Sequence, residues 1–499
     1  MSELQNSITQ HYHERTKYDE ETIASKSQSL DWSKQPSPFK EYKLGKTTDL
    51  KPYLQEETTE VWWQRLSRLL LSSYGLTARV DTIGPPIYLR AAPSAGGLYP
   101  AEIYLISRGT PLLSPGLYNY QAQTHSLVHF WESEVWQSLE SACCWHPVLQ
   151  DTHIAIAITA VFQRSAWRYQ DRAYRRIFLD TGHLLGNIEL AGAINDFRPH
   201  LIGGFVDEAV NNLLYLDEDT EGTTAIIGLA DLLEVEQNLS PGLTALPSQV
   251  KTDYPAIADG QLLPYYHKAT AIESISLEVE RSQIKEDKYN FPFCLKVPTL
   301  SAPIDWSGKL AGLEQTIFER RSTRAYNGEN LTLDELIALL DFTYQPQNYI
   351  HQELDGAPDY FALHLIETFI AVSGVEGLES GCYYYAPKVQ ELRQIRFKNF
   401  RRELHFLCLG QDLGRDAAAV LFHTADLQAA ITQYGDRVYR YLHMDAGHLG
   451  QRLNLAAIRL NLGVSGIGGF FDDRVNEILG IPVDEAAIYI TTLGRPRSN

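Results

Sequence analysis

Tyr169–Ala191, YQDRAYRRIFLDTGHLLGNIELA, and Tyr434–Ala456, YGDRVYRYLHMDAGHLGQRLNLA, are two versions of one motif, displaced by 265 residues (169 to 434). Asp180, Gly182 and His183 fall on Asp445, Gly447 and His448. The same displacement carries Gly116 and Tyr118 of GLYNY onto Gly381 and Tyr383 of GCYYY, and Gly203-Gly204-Phe205 onto Gly468-Gly469-Phe470, with no gap. A unit this long exceeds a solenoid repeat, so the spacing predicts two homologous domains fused into an intrachain pseudo-dimer. The expected division is a first domain over 1–235, a linker over 236–305 rich in Pro, Ser and mixed charge, and a second domain over 306–499.

Within each unit the pattern is mixed. WWQRLSRLLLSSY and DELIALLDFTY carry apolar residues at helical spacing, whereas AEIYLIS, HIAIAITAVF and AAIYITTLG are β-branched or aromatic runs of strand length. The largely apolar stretch from Asp180 to Ile194 reads as a buried helix. An α+β fold with a sheet between helices is therefore predicted for each copy.

The 499 residues allow two or three domains, and 44% hydrophobic with 21% charged residues is ordinary for a globular chain. No run of about twenty apolar residues offers a membrane span. The start, MSELQNSITQHYHERTKYDEE, has no apolar core of the secretory kind, so a soluble cytoplasmic protein without membrane contact is expected. A net charge of −19 argues against nucleic acid, which needs a basic face. The five cysteines, Cys143, Cys144, Cys294, Cys382 and Cys408, lack zinc or disulfide-framework spacing, and no metal is expected. Adjacent Cys143 and Cys144 leave a metal or redox pair as the minor alternative.

Four stretches could carry chemistry. ERRSTRAYNG (319–328) gathers Arg320, Arg321, Ser322 and Arg324, whose forks and hydroxyl suit a phosphate, the alternative being a solvated charge run. LGRPRSN adds Arg495 and Arg497 after a strand, as a clamp or a polar tail. RAAPSAGGLYPAE (90–102) holds Pro93, Ser94, Ala95, Gly96 and Gly97, small enough for a backbone to approach a flat ligand or simply to make a tight turn. VSGIGGFFDD (464–473) lacks the spaced glycines of a dinucleotide turn but could set a backbone amide near a ring. His183 and His448, inside apolar helices, read as core histidines rather than ligands.

Together these stretches resemble the nitroreductase superfamily. The narrower similarity, to the SagB/ThcOx-type dehydrogenases of azoline rings in peptides, rests on PSAGGLYP with upstream Arg90, GLYNY, RYQDRAYR followed by DTGH, and HYHERTKY. The resemblance implies a dimer-like arrangement with FMN at the interface, the arginine cluster and chain end coming from one half and the Pro-Ser turn from the other. In the first copy Leu229 takes the place of Arg495, and QPSPFKEY that of ERRSTRAY. In the second, Pro358-Asp359-Tyr360-Phe361-Ala362 replaces residues 93–97. One competent and one defunct site are therefore expected.

By that resemblance Arg320, Arg321, Ser322, Arg324, Arg495 and Arg497 would hold the phosphate and ribityl end. Arg90, Pro93 and Ser94 to Gly97 would line the isoalloxazine, and Gly466, Ile467, Gly468 and Gly469 would place an amide at its reactive nitrogen. Arg175, in the first copy's helix, is expected to be dispensable for the cofactor. The implied activity is ping-pong hydride transfer through FMN. The donor would be NAD(P)H, for a nitro or quinone reductase, or a peptide azoline. The family's Lys-Tyr pair reads here as Arg168-Tyr169 and Gln433-Tyr434, so a base is missing although Tyr169 and Tyr434 could relay a proton. A flavin- or peptide-binding protein without turnover is the non-enzymatic alternative. The expected partner is a small-molecule or peptide substrate, with the pseudo-dimer itself monomeric.

Overall fold

The apolar runs at 101–107 and 154–161 form neighbouring strands covered on both faces, and both are buried along nearly their whole length. They belong to a seven-stranded sheet in the computed structural model, which describes residues 6–26, 30–55, 58–82, 86–234, 243–274, 286–290 and 293–497. The strands are β1 (Lys46–Asp49), β2 (Ala101–Ser107), β3 (Gly116–Gln121), β4 (Ser126–Trp131), β5 (Ile154–Val161), β6 (Phe197–Ile202) and β7 (Glu221–Asp231). Their order is β1-β4-β3-β2-β5-β7-β6, and every pairing is antiparallel.

The second half repeats this connectivity strand for strand. Its sheet runs through β8 (Lys296–Pro298), β9 (Glu367–Val372), β10 (Gly381–Ala386), β11 (Glu391–Arg396), β12 (Ala419–Asp426), β13 (Gly463–Ile467) and β14 (Glu485–Gly494). The order is β8-β11-β10-β9-β12-β14-β13, again wholly antiparallel. The fold is thus α+β and duplicated. Of the stretch 236–305, residues 296–298 belong to the second sheet, and the helix Leu262–Ala269 buries Leu262, Leu263 and Tyr266 in the first core.

The quoted motif builds the contact between the halves. Its two copies are the helices Ala173–Ile194 and Val438–Arg459, which pack on each other along nearly their whole buried length. A Cβ on Gly182 would lie 2.1 Å from the Met444 carbonyl oxygen, and one on Gly447 would lie 2.3 Å from that of Leu179. The glycine of DTGH and DAGH is therefore the residue that lets two backbones touch.

The arginines of the motif lock the same contact reciprocally. Arg172 and Arg175 of the first half reach Asp472 of the second at 2.9 and 2.7 Å, and Arg437 and Arg440 of the second reach Asp207 of the first at 2.6 and 2.7 Å. Burial works against ionisation of Asp207, yet the Arg437 and Arg440 guanidiniums hold its carboxyl down at about 2. Arg175 is consequently part of the seam, and its loss leaves the buried Asp472 with Arg172 and the Tyr18 amide alone.

Two equivalences read from sequence also change. Ile154 pairs with Leu229 and Ala419, its counterpart, with Leu493, so Leu229 matches Leu493 and the position of Arg495 is held by Asp231. Lys40 bonds Glu221 as Lys288 bonds Glu485, which places QPSPFKEY opposite the Lys288 segment rather than opposite ERRSTRAY. Between its edge strand and first long helix the second half carries residues 299–332, with the helix Ala311–Glu319, where the first half has only 50–60. The first half lacks the whole clamp-bearing segment, not just its arginines.

Candidate functional site

In the first half, the strand Ile87–Arg90 leads into the small-residue turn. Arg90 is buried, its guanidinium 4.2 Å from the Tyr74 ring centre and 5.1 Å from that of Tyr99, and it donates to the Pro38 carbonyl at 2.6 Å. It shapes the turn from behind. The Ser94 hydroxyl donates to Asp180 at 2.6 Å and accepts from the Tyr99 amide, while the Ala95 amide donates to the same carboxylate at 3.0 Å. Gly96 and Gly97 then take φ of +66° and +67°, a left-handed pair that favours glycine. Burial pushes the Asp180 carboxyl up to about 7 against the pull of these donors.

In the second half, the inserted helix Ala311–Glu319 docks on the first half through the Arg68–Glu314 ion pair. Arg320 follows it, 3% exposed, donating to the carbonyls of Ala91 at 2.7 Å and Arg90 at 3.1 Å. Burial lowers its guanidinium to about 10. Arg321 spends its donors on Thr77 and on carbonyls of its own loop. Two of the cluster's three arginines thus fasten the clamp segment to the other half, leaving Ser322 and the exposed Arg324 at the cavity between the halves.

The chain end runs beside this segment, with a bridge between Tyr326 and Pro496. Its side chains go elsewhere than expected. Arg495 pairs with Glu335 at 3.0 Å and donates to the Asn330 carbonyl, and Arg497 is exposed; neither lines the cavity described next. The Arg495 guanidinium is drawn off by Glu335 at the acidic start of the helix Leu333–Tyr344.

Pro93, Ser94, Ala95 and Gly96 of the first half and Ser322 and Arg324 of the second wall one cavity between the halves. Gly466 and Gly468 form a further edge, and the helix Ala173–Ile194 supplies Arg176, Asp180 and His183. A Cβ on Gly466 would fall 1.9 Å from the Tyr489 hydroxyl, which also meets His183 at 2.9 Å. His183 bonds Gln451 through its other nitrogen, so it is a satisfied histidine that happens to line the cavity. The Ile467 side chain lies in the apolar core behind, leaving only its backbone at this edge. Gly97 has open space where a Cβ would be, and Gly469 lies against Arg176. The Tyr169 hydroxyl sits 2.7 Å from the Cβ position of Gly96, whereas Tyr434 is buried beside Tyr441 and His364 in the image position.

That image position is filled. The Tyr360 ring stacks on His448 at 4.4 Å and Phe361 on Tyr441 at 5.3 Å. The Phe361 and Ala362 amides bond Asp445, the counterpart of Asp180, at 3.0 and 2.6 Å. Asp359 ties across to Arg198 at 3.2 Å and to the Leu201 amide at 3.0 Å.

Three buried polar atoms around the open cavity lack a hydrogen-bond partner among the described residues: Arg320 Nη1, Arg176 Nη1 and Asn454 Oδ1. Buried polar atoms are almost always satisfied, so two unpaired donors and an acceptor mark the cavity as a place for a polar, anionic ligand. Arg176, Asn454 and Tyr489 were missed from sequence. Their signal was divergence inside the repeat, where Arg176 faces Tyr441 and Asn454 faces Glu189 at the 265 displacement.

Among the described residues, no helix is long and apolar enough to cross a membrane. The family model described as nitroreductase matches residues 66–230 and again 317–495. A crystal structure from Anabaena variabilis, of a protein provisionally named a nitroreductase, is 73% identical over 99% of this chain and 100% of that one, with a TM-score of 0.95. A provisionally named nitroreductase of Methanocaldococcus jannaschii is 33% identical over 183 residues, 37% of this chain and 90% of that protein. The microcin B17-processing protein McbC of Escherichia coli is 26% identical over 144 residues, 26% of this chain and 50% of its own. With a family match on each half and one sheet topology in both, the chain belongs to the nitroreductase family and carries its domain twice.

Proposed function

We propose that this family oxidoreductase binds one FMN per chain in the cavity between the halves and works by a ping-pong route. The observation that carries the reading is the meeting of Ser94–Gly96 with Ser322 and Arg324 around unpaired Arg320 Nη1 and Asn454 Oδ1. Arg324 and the Ser322 hydroxyl would receive the phosphate. The backbone of Ser94 to Gly97 would lie along the ring, and the amides of Gly466 to Gly469 would meet its polar edge. FMN, when bound, supplies a ring that takes up and returns two electrons.

The chain's own groups orient and shield. Asp180 fixes the turn through Ser94 and Ala95, and the Tyr169 hydroxyl at Gly96 is placed to pass a proton at the cavity edge. Donor and acceptor would use the same cavity in turn, which is the reason for a ping-pong scheme.

NAD(P)H-dependent reduction of a nitro or quinone compound is the first reading of the donor. Oxidation of a peptide azoline is the second, favoured by the likeness to McbC and by Tyr169 beside Gly96, and weakened by Arg168, a guanidinium where a base is wanted. Anaerobic titration of the yellow protein separates them. Bleaching by NADH or NADPH supports the first, and bleaching only by an azoline peptide supports the second. A protein that neither donor bleaches is a flavin binder without turnover.

A further inference from the structure

Around Tyr169 the chain holds two guanidiniums, Arg168 and Arg176, that form no salt bridge among the described residues, although Asp180 across the cavity feels the Arg176 charge. Arg176 is 7% exposed, lies 3.7 Å over the Tyr169 ring, and keeps Nη1 without a partner. Arg168 lies 5.5 Å from the same ring and 5.9 Å from that of Trp32, and forms no ion pair among the described residues. The carboxylates nearby are already committed. Asp472 is held by Arg172 and Arg175, Glu14 and Asp473 by Lys17, Asp171 by the Gly260 and Leu263 amides, and Asp180 by Ser94 and Ala95.

In a chain of net charge −19, a buried cation left unpaired at a cavity wall is costly unless an anion comes to it. A second hollow is lined by Tyr18, Arg168, Tyr169 and Arg172, and its Tyr169 hydroxyl sits 2.7 Å from the Cβ position of Gly96 at the first cavity. Tyr18 completes its rim: burial opposes ionisation of the phenol, but Arg176 and Arg172 hold it below its ordinary value.

We infer that Arg176, with Arg168, forms a subsite for the carboxylate of a small organic acid, or of an acidic peptide side chain, brought to the cavity as substrate. Arg176, which already bonds Tyr18, would donate to the anion from its unpaired Nη1, and Arg168, at the open rim, would draw it in. This rests on the cavity being the reaction site, but it concerns a different end of it from the Arg324 phosphate end. The image helix position is Tyr441, so the subsite exists once per chain.

The test is calorimetric titration of the purified full chain, FMN added, with 2-naphthoate and its neutral amide, 2-naphthamide. Naphthoate is expected to bind at least tenfold more tightly, with the ratio falling below threefold in Arg176→Gln and partly kept in Arg176→Lys. Arg168→Gln, at an exposed position that does not threaten folding, should reduce the ratio about threefold. A ratio near one in the unaltered protein overturns the inference. So does an Arg176→Gln protein that loses FMN while its ratio is unchanged, because Arg176 would then serve the cofactor. A chain that takes up no FMN yet shows the tenfold preference defeats the flavin reading and leaves the carboxylate subsite standing.

Discussion

Arg495 and Glu335 form an ion pair, 3.0 Å apart, that is the charge-reversed image of Asp231 and Arg65 in the first half, 2.6 Å apart. The helix Val61–Tyr74 matches Leu333–Tyr344 through Leu66, Leu69 and Leu70 against Leu336, Leu339 and Leu340, all buried, which sets Arg65 opposite Glu335. Each half therefore ties its first long helix to the end of its last strand with one salt bridge of opposite polarity. Arg495→Glu should lower the melting temperature by an amount equivalent to about 1 kcal/mol, since the pair is partly exposed and now repels. Arg495→Glu combined with Glu335→Arg should recover it, and FMN content should be unchanged in both, read by thermal melts and visible absorbance.

Gly182→Ala and Gly447→Ala should each destabilise the chain by about 3 kcal/mol, because the added methyl meets a carbonyl oxygen of the facing helix. Gly186→Ala, whose methyl would meet the Gln451 side chain at 2.9 Å, should cost clearly less. Urea unfolding of the three variants checks the order; equal losses would mean that the helices separate easily.

Asp445 gives a pH signature independent of any cofactor. Burial raises its carboxyl to about 7, opposed by the Phe361 and Ala362 amides, while an unfolded aspartate titrates near 4. The stability held by the protonated form is complete below about pH 4 and is lost as the pH rises toward about 7. Asp445→Asn keeps an oxygen for the two amides and removes the titration. Its melting temperature should fall less between pH 5 and pH 8 than that of the unaltered chain, and parallel profiles would exclude Asp445 as the titrating group.

The duplication and the element types were legible because they rest on local signals: the 265-residue displacement, the strand runs and the helical spacing of DELIALLDFTY. The pairing of Ser94–Gly96 with Ser322 and Arg324 was legible from complementary losses in the two copies. What the sequence hid was the use of each arginine. Arg320 and Arg321 look like Arg324, but two are consumed by carbonyls and a hydroxyl of the other half, and only their neighbours in space reveal it. Arg495 likewise depends on Glu335, 160 residues away. The counterpart of Arg495 was hidden as well, because it is the strand pairing and not the neighbouring sequence that sets Asp231 opposite it.

Arg324→Gln isolates the phosphate end, because Arg324 is exposed and carries no structural ion pair among the described residues. Loss of a charge-assisted hydrogen bond worth about 1.5–3 kcal/mol should weaken FMN binding roughly 10- to 100-fold. The melting temperature of the flavin-free chain should not move. Equilibrium dialysis with FMN gives the first number and a melt the second.

The most direct test of the central claim is the amount of FMN held per chain after saturation and removal of excess, from the visible spectrum and the released cofactor. One FMN per 499-residue chain is the predicted result, since Tyr360 and Phe361 fill the image cavity. Two per chain, or none after addition of FMN, would contradict the account.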